Sequence, residues 1–259
     1  MSTLGRAFPN FAGRSVFIDD QRVFPIMGGG SPPAKDPFWS NVVLMMGFDG
    51  TDATSPTLTP DESLNGYAVD NVYGNAQIDT GISIFDGSLL LDGAGDAIGF
   101  NDQTNFSIGS SDFTIDAWMY LAVDTTGMIA SKYSGSATTA EWFLLYNGVG
   151  IGFLSYYGTG SNSSDSFNGT VSLDVGTWHH VAYDRQGDNQ WLYAGGTVVG
   201  SMFINRVYKN STEQLRIGGR NHPSPFAWHG NLDEVRITKG VARYGGSSFT
   251  VPTAKFPRN

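Results

Sequence analysis

The fold is decided near the end of the chain, by the stretch Gly230-Asn231-Leu232-Asp233-Glu234-Val235-Arg236-Ile237-Thr238-Lys239-Gly240-Val241-Ala242-Arg243-Tyr244. Alternate residues of a strand point to opposite faces, so Asp233 is expected on the same side as Val235 and Ile237. A carboxylate on the apolar side of a strand is unfavourable unless it is paired, fully hydrogen-bonded or bound to a cation. The stretch therefore predicts either an Asp that accepts backbone N–H bonds from a turn, or an Asp that binds a cation.

Other short apolar motifs precede this strand along the chain. Each places hydrophobic residues beside an acidic residue or a glycine turn, and in chain order they are Val42-Val43-Leu44-Met45-Met46-Gly47-Phe48-Asp49-Gly50, Phe85-Asp86-Gly87-Ser88-Leu89-Leu90-Leu91-Asp92-Gly93, Asp112-Phe113-Thr114-Ile115-Asp116-Ala117-Trp118-Met119, Gly176-Thr177-Trp178-His179-His180-Val181-Ala182-Tyr183 and Leu192-Tyr193-Ala194-Gly195-Gly196.

With the segment 232–236, these motifs follow the order and spacing of a known family. The chain resembles the laminin-G-like, concanavalin A-like lectin/glucanase jelly-roll domains, in the form found in tailed-phage virion structural proteins. The resemblance covers roughly residues 38–257, and the segments 36–44 and 243–257 look especially like the phage branch. It implies an all-β fold, an antiparallel jelly-roll sandwich of the concanavalin A type.

Composition agrees with a sandwich. The chain has 259 residues, of which 34 are glycines, and turn-forming residues recur between short apolar runs. Many brief strands joined by turns are typical of a sandwich or barrel. With 40% hydrophobic residues the chain can bury a large core without disulfides, and it contains no cysteine. Thiolate metal sites and thiol catalysis are therefore excluded.

Charge and the N-terminal sequence bear on partners and location. The formal net charge is −9 with dispersed basic residues, which argues against nucleic acid as a partner. Residues 1–9 lack the apolar stretch of a signal peptide, and no run is long enough to span a bilayer. We therefore expect synthesis in the host cytoplasm, no membrane insertion and a final location on a virion surface.

Three segments are expected. Residues 1–30 predict an extended N-terminal β-arm for attachment to other virion proteins or for homo-oligomerisation, residues 31–37 a Gly/Pro linker, and residues 38–259 the sandwich. The alternative for the arm is a disordered tail. The attachment residues would be the β-branched and aromatic side chains of its strands, namely Val16, Phe17, Ile18, Val23 and Phe24.

Local patterns predict several elements of the sandwich. Alternation in residues 113–120 indicates a strand with one deeply buried face. The segments 141–157 and 191–202 are typical of hairpins that turn at Asn147-Gly148 and at Ala194-Gly195-Gly196. Residues 51–82, rich in turn formers, predict a long ordered loop.

A structural calcium ion is implied by the resemblance. Related domains often hold Ca²⁺ between the Asp that follows the first strand, an acidic loop residue and the Asp of the last strand. The matching positions are Asp49, Asp61 and Asp233, with Asp52 and Asn65 as further neighbours. Ca²⁺ prefers six to eight oxygen ligands, which Asp, Asn and turn carbonyls supply. The alternative is an Asp-rich turn network satisfied by backbone amides.

Two aromatic loops predict carbohydrate binding, because sugars stack on exposed rings while polar groups bind their hydroxyls. The residues are Tyr156 and Tyr157 in one loop and Trp228 and His229 in the other. The alternative is that these rings belong to the core of the sandwich.

Catalysis is not expected. A glycosidase needs two carboxyls that flank the scissile bond, and the adjacent Asp233 and Glu234 would point to opposite faces. The adjacent His179 and His180 lack the spaced partner of a zinc site. The sequence thus favours a non-enzymatic virion structural protein, as a head decoration or a fibre or tail attachment, that displays a lectin-like sandwich and binds glycans. The alternatives are a receptor-binding tail protein that recognises host polysaccharide and, more weakly supported, a glycoside hydrolase.

Overall fold

A computed structural model describes residues 18–19, 22–23, 35–158, 163–220 and 226–259. In the arm it describes two short strands, β1 (Ile18–Asp19) and β2 (Arg22–Val23), which pair antiparallel. The described part of the expected β-arm therefore contains strand structure. The other attachment residues Val16, Phe17 and Phe24 lie outside the described residues, and the role of the arm stays a prediction.

Two antiparallel sheets form a sandwich, as the sequence predicts. The seven-stranded sheet has the order β12 (Ser164–Thr170), β11 (Gly150–Tyr156), β10 (Trp142–Tyr146), β9 (Gly127–Lys132), β16 (Leu215–Ile217), β7 (Ala97–Phe100) and β4 (Asn71–Tyr73). The eight-stranded sheet contains β15 (Thr197–Phe203), β14 (Asn189–Ala194), β13 (Trp178–Gln186), β8 (Phe113–Leu121), β17 (His229–Lys239), β6 (Ser88–Asp92), β5 (Gln77–Asp79) and β3 (Val42–Met46), which pairs with β17.

The core lies between the two sheets. At its centre Phe153 of β11 stacks on Tyr183 of β13, with ring centroids 3.6 Å apart. On β8 the alternating apolar side chains from Phe113 to Met119 enter this core, which confirms the predicted buried face. Within the described ranges, no helix is both long and apolar enough to cross a membrane.

Both predicted hairpins are confirmed. β10 and β11 pair through the turn at Asn147-Gly148, where Gly148 has φ 85°. β14 and β15 pair through Gly195 and Gly196, with φ 56° and 75°. Two consecutive positive φ values match the turn that best fits the twist of a hairpin, so the paired glycines have a direct conformational role.

The segment 51–82 differs from the expected loop. It contains a 3-10 helix at Pro56–Leu58 and the two short strands β4 and β5, which extend opposite sheets at one edge. Each strand is only three residues long, so turn-forming residues dominate the sequence and conceal the strands.

The last strand contains a bulge that the sequence did not predict. The register of β17 against β8 shifts between Asp233 and Arg236, and Glu234 adopts φ 49°. Leu232 and Val235 both enter the core, and Asp233 lies opposite Trp118 on the other face. The expectation that Asp233 shares a face with Val235 is therefore wrong, because one extra residue shifts the alternation.

The C-terminal segment covers the outer face of the eight-stranded sheet. Phe249 and Phe256 pack edge-on against the buried ring of His180, which points outward from β13. Arg236 of β17 lies over the ring of Phe256, with its guanidinium carbon 3.8 Å from the centroid. In the part of the chain that the structure describes, these contacts place the C-terminal segment on the outer face of the eight-stranded sheet.

Candidate functional site

A group of carboxylates meets at the bulge of β17. On one side of this strand, β6 pairs with its first half and β3 with its second half, so a gap opens beside Asp233. Asp49 follows β3, and Asp86 precedes β6. The backbone at Gly87 lies close to the backbone at Phe48. A Cβ atom added to Gly87 would lie only 2.5 Å from the carbonyl oxygen of Phe48, so a larger residue would not fit there. The gap thus gathers acidic residues from three distant parts of the chain.

Asp233 is the most unusual member of this group. The residue is 1% exposed, and Oδ1 accepts a hydrogen bond from the Glu234 N–H at 2.6 Å. Oδ2 is buried and has no hydrogen-bond partner within the described ranges. Burial, then the charges of Glu234 and Asp49, raises the pKa of Asp233 to about 9. A buried carboxylate oxygen without a partner is a strong acceptor for a proton or a cation.

Lys255 places a positive charge in the same gap. Its Nζ lies 2.6 Å from Oδ2 of Asp49 and 2.5 Å from Oδ2 of Asp86. The lysine also favours the ionised form of Asp233, against the effect of burial. The chain therefore supplies one cation of its own at the place where the resemblance implies calcium.

Asp61, the third implied calcium ligand, has a different role. Its carboxylate accepts hydrogen bonds from the N–H groups of Met45, Ser63 and Tyr67, each at 2.9 Å, and from the Ser63 hydroxyl at 2.8 Å. This is the turn network that the sequence left open as the alternative. Asp61 therefore holds the loop after β3 against that strand.

The neighbouring candidates also make protein contacts. Asp52 accepts from the Thr80 N–H at 3.0 Å, and the Asn65 amide donates to the Val43 carbonyl at 3.2 Å. In the part of the chain that the structure describes, no three His, Asp or Glu side chains converge as a metal-binding group. Of the predicted ligands, Asp233 keeps a carboxylate oxygen without a partner among the described residues, and Asp49 pairs with Lys255. A calcium ion at this place stays a prediction.

A second candidate site is a groove on the outer face of the seven-stranded sheet. On β10, Trp142, Leu144 and Tyr146 enter the core, so the intervening Phe143 and Leu145 face outward. The groove has a volume of about 180 Å³. Its walls are almost wholly apolar or aromatic and consist of Met128, Tyr133, Phe143, Leu145, Tyr156, Arg220 and Phe226.

Three aromatic rings of the groove pack against one another. Tyr133 stacks on Tyr156 with centroids 5.9 Å apart and an interplanar angle of 9°, and it contacts Phe143 at 5.3 Å. Burial and the neighbouring Tyr133 raise the pKa of Tyr156 to about 12, so the Tyr156 phenol is neutral near pH 7. The rings thus form a packed aromatic wall on one side of the groove.

Arg220 closes the opposite side of the groove. Its guanidinium carbon lies 5.1 Å from the ring centroid of Tyr133 and 5.1 Å from that of Phe226. The Nε atom is buried and has no hydrogen-bond partner among the residues that the structure describes. A cation held between two rings keeps its planar donors oriented for a ligand.

The four predicted glycan residues have different positions. Tyr156 lines the groove. The next residue, Tyr157, is half-buried, and the guanidinium carbon of Arg206 lies 4.6 Å from the centroid of its ring. Trp228 is 1% exposed and belongs to the core, so its prediction as a sugar-stacking ring is wrong. His229 is exposed at the start of β17, with its ring beside Gly93.

Sequence reasoning missed Tyr133, Phe143 and Arg220. The available signal was β10, whose residues Trp142–Tyr146 are hydrophobic on both faces. A strand that covers one core needs only one apolar face, so the second apolar face indicates a binding surface.

The two candidate sites can be compared with known proteins. The family model Laminin_G_3, described as the concanavalin A-like lectin/glucanases superfamily, matches residues 92–242, which is more than half of the chain. The chain belongs to this family. Both the β8 strand and the bulged strand β17 fall within the matched residues. A search of curated protein sequences found no match to the chain.

Solved structures support the Laminin_G_3 fold. The binding domain of Paraclostridial Mosquitocidal Protein 1 is similar with a TM-score of 0.58 and 16% identity, over 79% of this chain and 50% of that one. The binding domain of botulinum neurotoxin serotype G gives a TM-score of 0.57 at 15% identity, over 81% of this chain and 49% of that one. The chain therefore spans about half the length of these toxin domains.

A third similar structure covers a whole domain. Domain 4 of AbnA, a GH43 extracellular arabinanase from Geobacillus stearothermophilus, was solved in complex with arabinotriose. It gives a TM-score of 0.56 at 16% identity, over 78% of this chain and 94% of that domain. At these identities the likeness shows the fold alone.

Proposed function

We propose that this Laminin_G_3 chain is a non-enzymatic carbohydrate-binding domain displayed on the surface of a tailed-phage virion. The observation that supports binding is the aromatic groove with Arg220 on the open face of the seven-stranded sheet. The C-terminal segment covers the outer face of the other sheet. A concave apolar site with a few oriented polar groups is the usual form of a small-ligand site.

The proposed non-catalytic role is supported by the contacts of the buried carboxylates. Asp116 is buried and bound by Arg236 through Nε and Nη2, at 3.0 and 2.6 Å. Glu234 is buried and bound by Arg258 at 2.5 Å. Glycoside hydrolysis needs two carboxyls open to the substrate, one as acid and one as nucleophile or base. Neither buried pair offers that arrangement to a sugar in the groove. Among the described residues, no Asp or Glu side chain lines the groove.

The virion role is supported by the resemblance of segments 36–44 and 243–257 to phage structural proteins and by the N-terminal arm. We propose that the arm attaches the domain to other virion proteins, as a homo-oligomer, in a head decoration or a fibre or tail attachment. The test compares the mass in solution of the full chain with the mass in solution of the 31–259 truncation. A full-length oligomer that becomes monomeric on truncation supports the proposal, and two monomers contradict it.

The binding role is tested with the full chain on an array of bacterial surface polysaccharides. Tyr133→Ala removes the central ring of the groove and should abolish binding, and Tyr157→Ala removes a neighbouring ring outside the groove and should leave binding intact. A receptor-binding tail protein would also bind whole host cells through the same groove. Equal loss in both variants, or no binding to any polysaccharide by the wild type, contradicts the proposed site.

A further inference from the structure

The positive charge of the groove stands out in an acidic chain. The formal net charge is −9, yet the residues that line the groove include Arg220 and no Asp or Glu. A neutral sugar needs stacking rings and hydroxyl partners, and it gains little from a fixed cation. Arg220 therefore points to a ligand that carries negative charge.

The backbone of Arg220 is held by a neighbouring arginine of the sheet. Arg216 of β16 donates from Nη1 to the carbonyl oxygen of Arg220 at 3.1 Å. Arg216 is itself held by the ring of Tyr73, with its guanidinium carbon 3.5 Å from the centroid. The backbone that carries Arg220 is thus anchored to the sheet, while its side chain lies between Tyr133 and Phe226.

The chemistry of the guanidinium selects the anion. Its planar N–H donors match the two oxygens of a carboxylate in a bidentate pair, and pairing in a partly dehydrated groove is stronger than in water. The Nε of Arg220 has no hydrogen-bond partner among the described residues, and a guanidinium carries five N–H donors in a fixed fork. The stacked rings of Tyr133 and Tyr156 provide an apolar wall beside it.

We propose that the groove binds a carboxylate-bearing pyranose, with the sugar ring against Tyr133 and Phe143 and its carboxylate paired with Arg220. The inference rests on the proposed carbohydrate-binding function and adds the class of sugar. The groove volume of about 180 Å³ lies below the ~300–1,000 Å³ of sites for drug-sized ligands, so it suits one acidic residue of a polysaccharide. A hexuronic acid and a sialic acid share the required chemistry.

The test is isothermal titration of the full chain with matched oligosaccharides. One pair is a hexuronic acid oligosaccharide and the same compound with its carboxylates reduced to alcohols; a second pair is a sialylated oligosaccharide and its desialylated form. We expect at least one acidic member to bind ten or more times more tightly than its neutral partner. The pair that shows the preference identifies the source of the carboxylate.

Variants assign the preference to Arg220. Arg220→Gln should reduce binding of the acidic sugar to the level of the neutral one, and Arg220→Lys, which keeps the charge without the planar fork, should recover only part of it. Arg206→Gln, at an arginine that lies over Tyr157, is the matched control and should leave the preference unchanged.

The outcomes separate this inference from the proposed function. Equal binding of acidic and neutral members by the wild type overturns the inference and leaves carbohydrate binding in place. A lack of binding by every oligosaccharide and every polysaccharide overturns the proposed function itself. Because the wild-type comparison is decisive, a folding defect in one variant does not weaken the test.

Discussion

Asp36 and Arg243, 207 positions apart in the chain, are joined by two hydrogen bonds of 3.0 and 2.8 Å. Arg236 also lies 3.4 Å from the same Asp36 carboxylate. The contact holds the first residues of the sandwich against its C-terminal segment, and the Asp36 N–H donates to the carbonyl of Asn259 at 2.9 Å. The outer face of one sheet is closed in this way, and the groove on the other sheet remains accessible.

Asp116→Asn should destabilise the sandwich strongly. The pKa of Asp116 is lowered because the charge and hydrogen bonds of Arg236 outweigh the effect of burial. Asparagine would leave the buried Arg236 guanidinium with only the Asp36 carboxylate, 3.4 Å away, as a charged partner. We therefore expect a loss toward the lower end of the about 3–5 kcal/mol that is typical when one partner of a buried ion pair is removed. Urea unfolding measures the loss, and Asp174→Asn at an exposed position is the control. A loss equal to that of the control would show that the pair contributes nothing.

Trp228→Ala should lower the stability of the protein, because the side chain belongs to the core and does not line the groove. The indole is 1% exposed, and truncation of a buried aromatic residue to Ala costs about 3–5 kcal/mol. Thermal unfolding measures the effect, with Tyr157→Ala as a half-buried comparison. If Trp228→Ala melted like the wild type and lost only sugar binding, the core position of this ring would be refuted.

Asp61→Ala should destabilise the protein to the same extent with and without calcium. The variant leaves the N–H groups of Met45 and Ser63 without their acceptor, and such a loss costs about 1–3 kcal/mol for each buried group. Melting in EDTA and in millimolar CaCl₂ gives the comparison. A loss seen only with calcium present would restore Asp61 to the ligand set that the resemblance implies.

His180 should make the protein sensitive to acid. Burial lowers the pKa of His180 to about 4, from an ordinary value of 6.5, and neither ring nitrogen has a hydrogen-bond partner. The unfolded chain then binds a proton that the folded chain excludes between pH 6.5 and 4. Stability from this residue is full above pH 6.5 and falls by roughly 3 kcal/mol as the pH drops through that window.

The measurement is the free energy of unfolding at pH 7 and pH 4.5. His180→Phe keeps the ring contacts with Phe249 and removes the titration, so its loss on acidification should be smaller than that of the wild type. His179→Gln serves as the control, because His179 is half-buried and bonds the Thr177 hydroxyl. An unchanged pH dependence in His180→Phe would assign acid sensitivity to other groups.

Lys255→Met should make the protein more responsive to calcium. The ammonium group pairs with Asp49 and Asp86, so its removal leaves two carboxylates uncompensated beside the unpartnered oxygen of Asp233. We expect Ca²⁺ to raise Tm of the variant more than that of the wild type. Lys35→Met at an exposed lysine is the matched control. Identical responses in all three proteins would exclude competition between Lys255 and a metal ion.

The sequence by itself determined the sandwich. Alternation on β8, the paired glycines of the β14–β15 hairpin and the motif around Leu232 are local patterns, and their physical causes act between neighbouring residues. Side-chain direction in a strand and positive φ at a glycine need no knowledge of distant contacts. The family and fold class were accordingly predictable from the chain alone.

Only the tertiary structure decided the sites. One extra residue at Glu234 moved Asp233 to the other face of β17, and no local pattern specifies a bulge. The groove joins Tyr133, which follows β9, and Tyr156 of β11 to Arg220 in a later loop. Whether an aromatic ring enters the core, as Trp228 does, or faces outward, as Phe143 does, depends on which sheet covers it. That choice depends on the packing of residues far apart in sequence, because burial is a property of the whole fold.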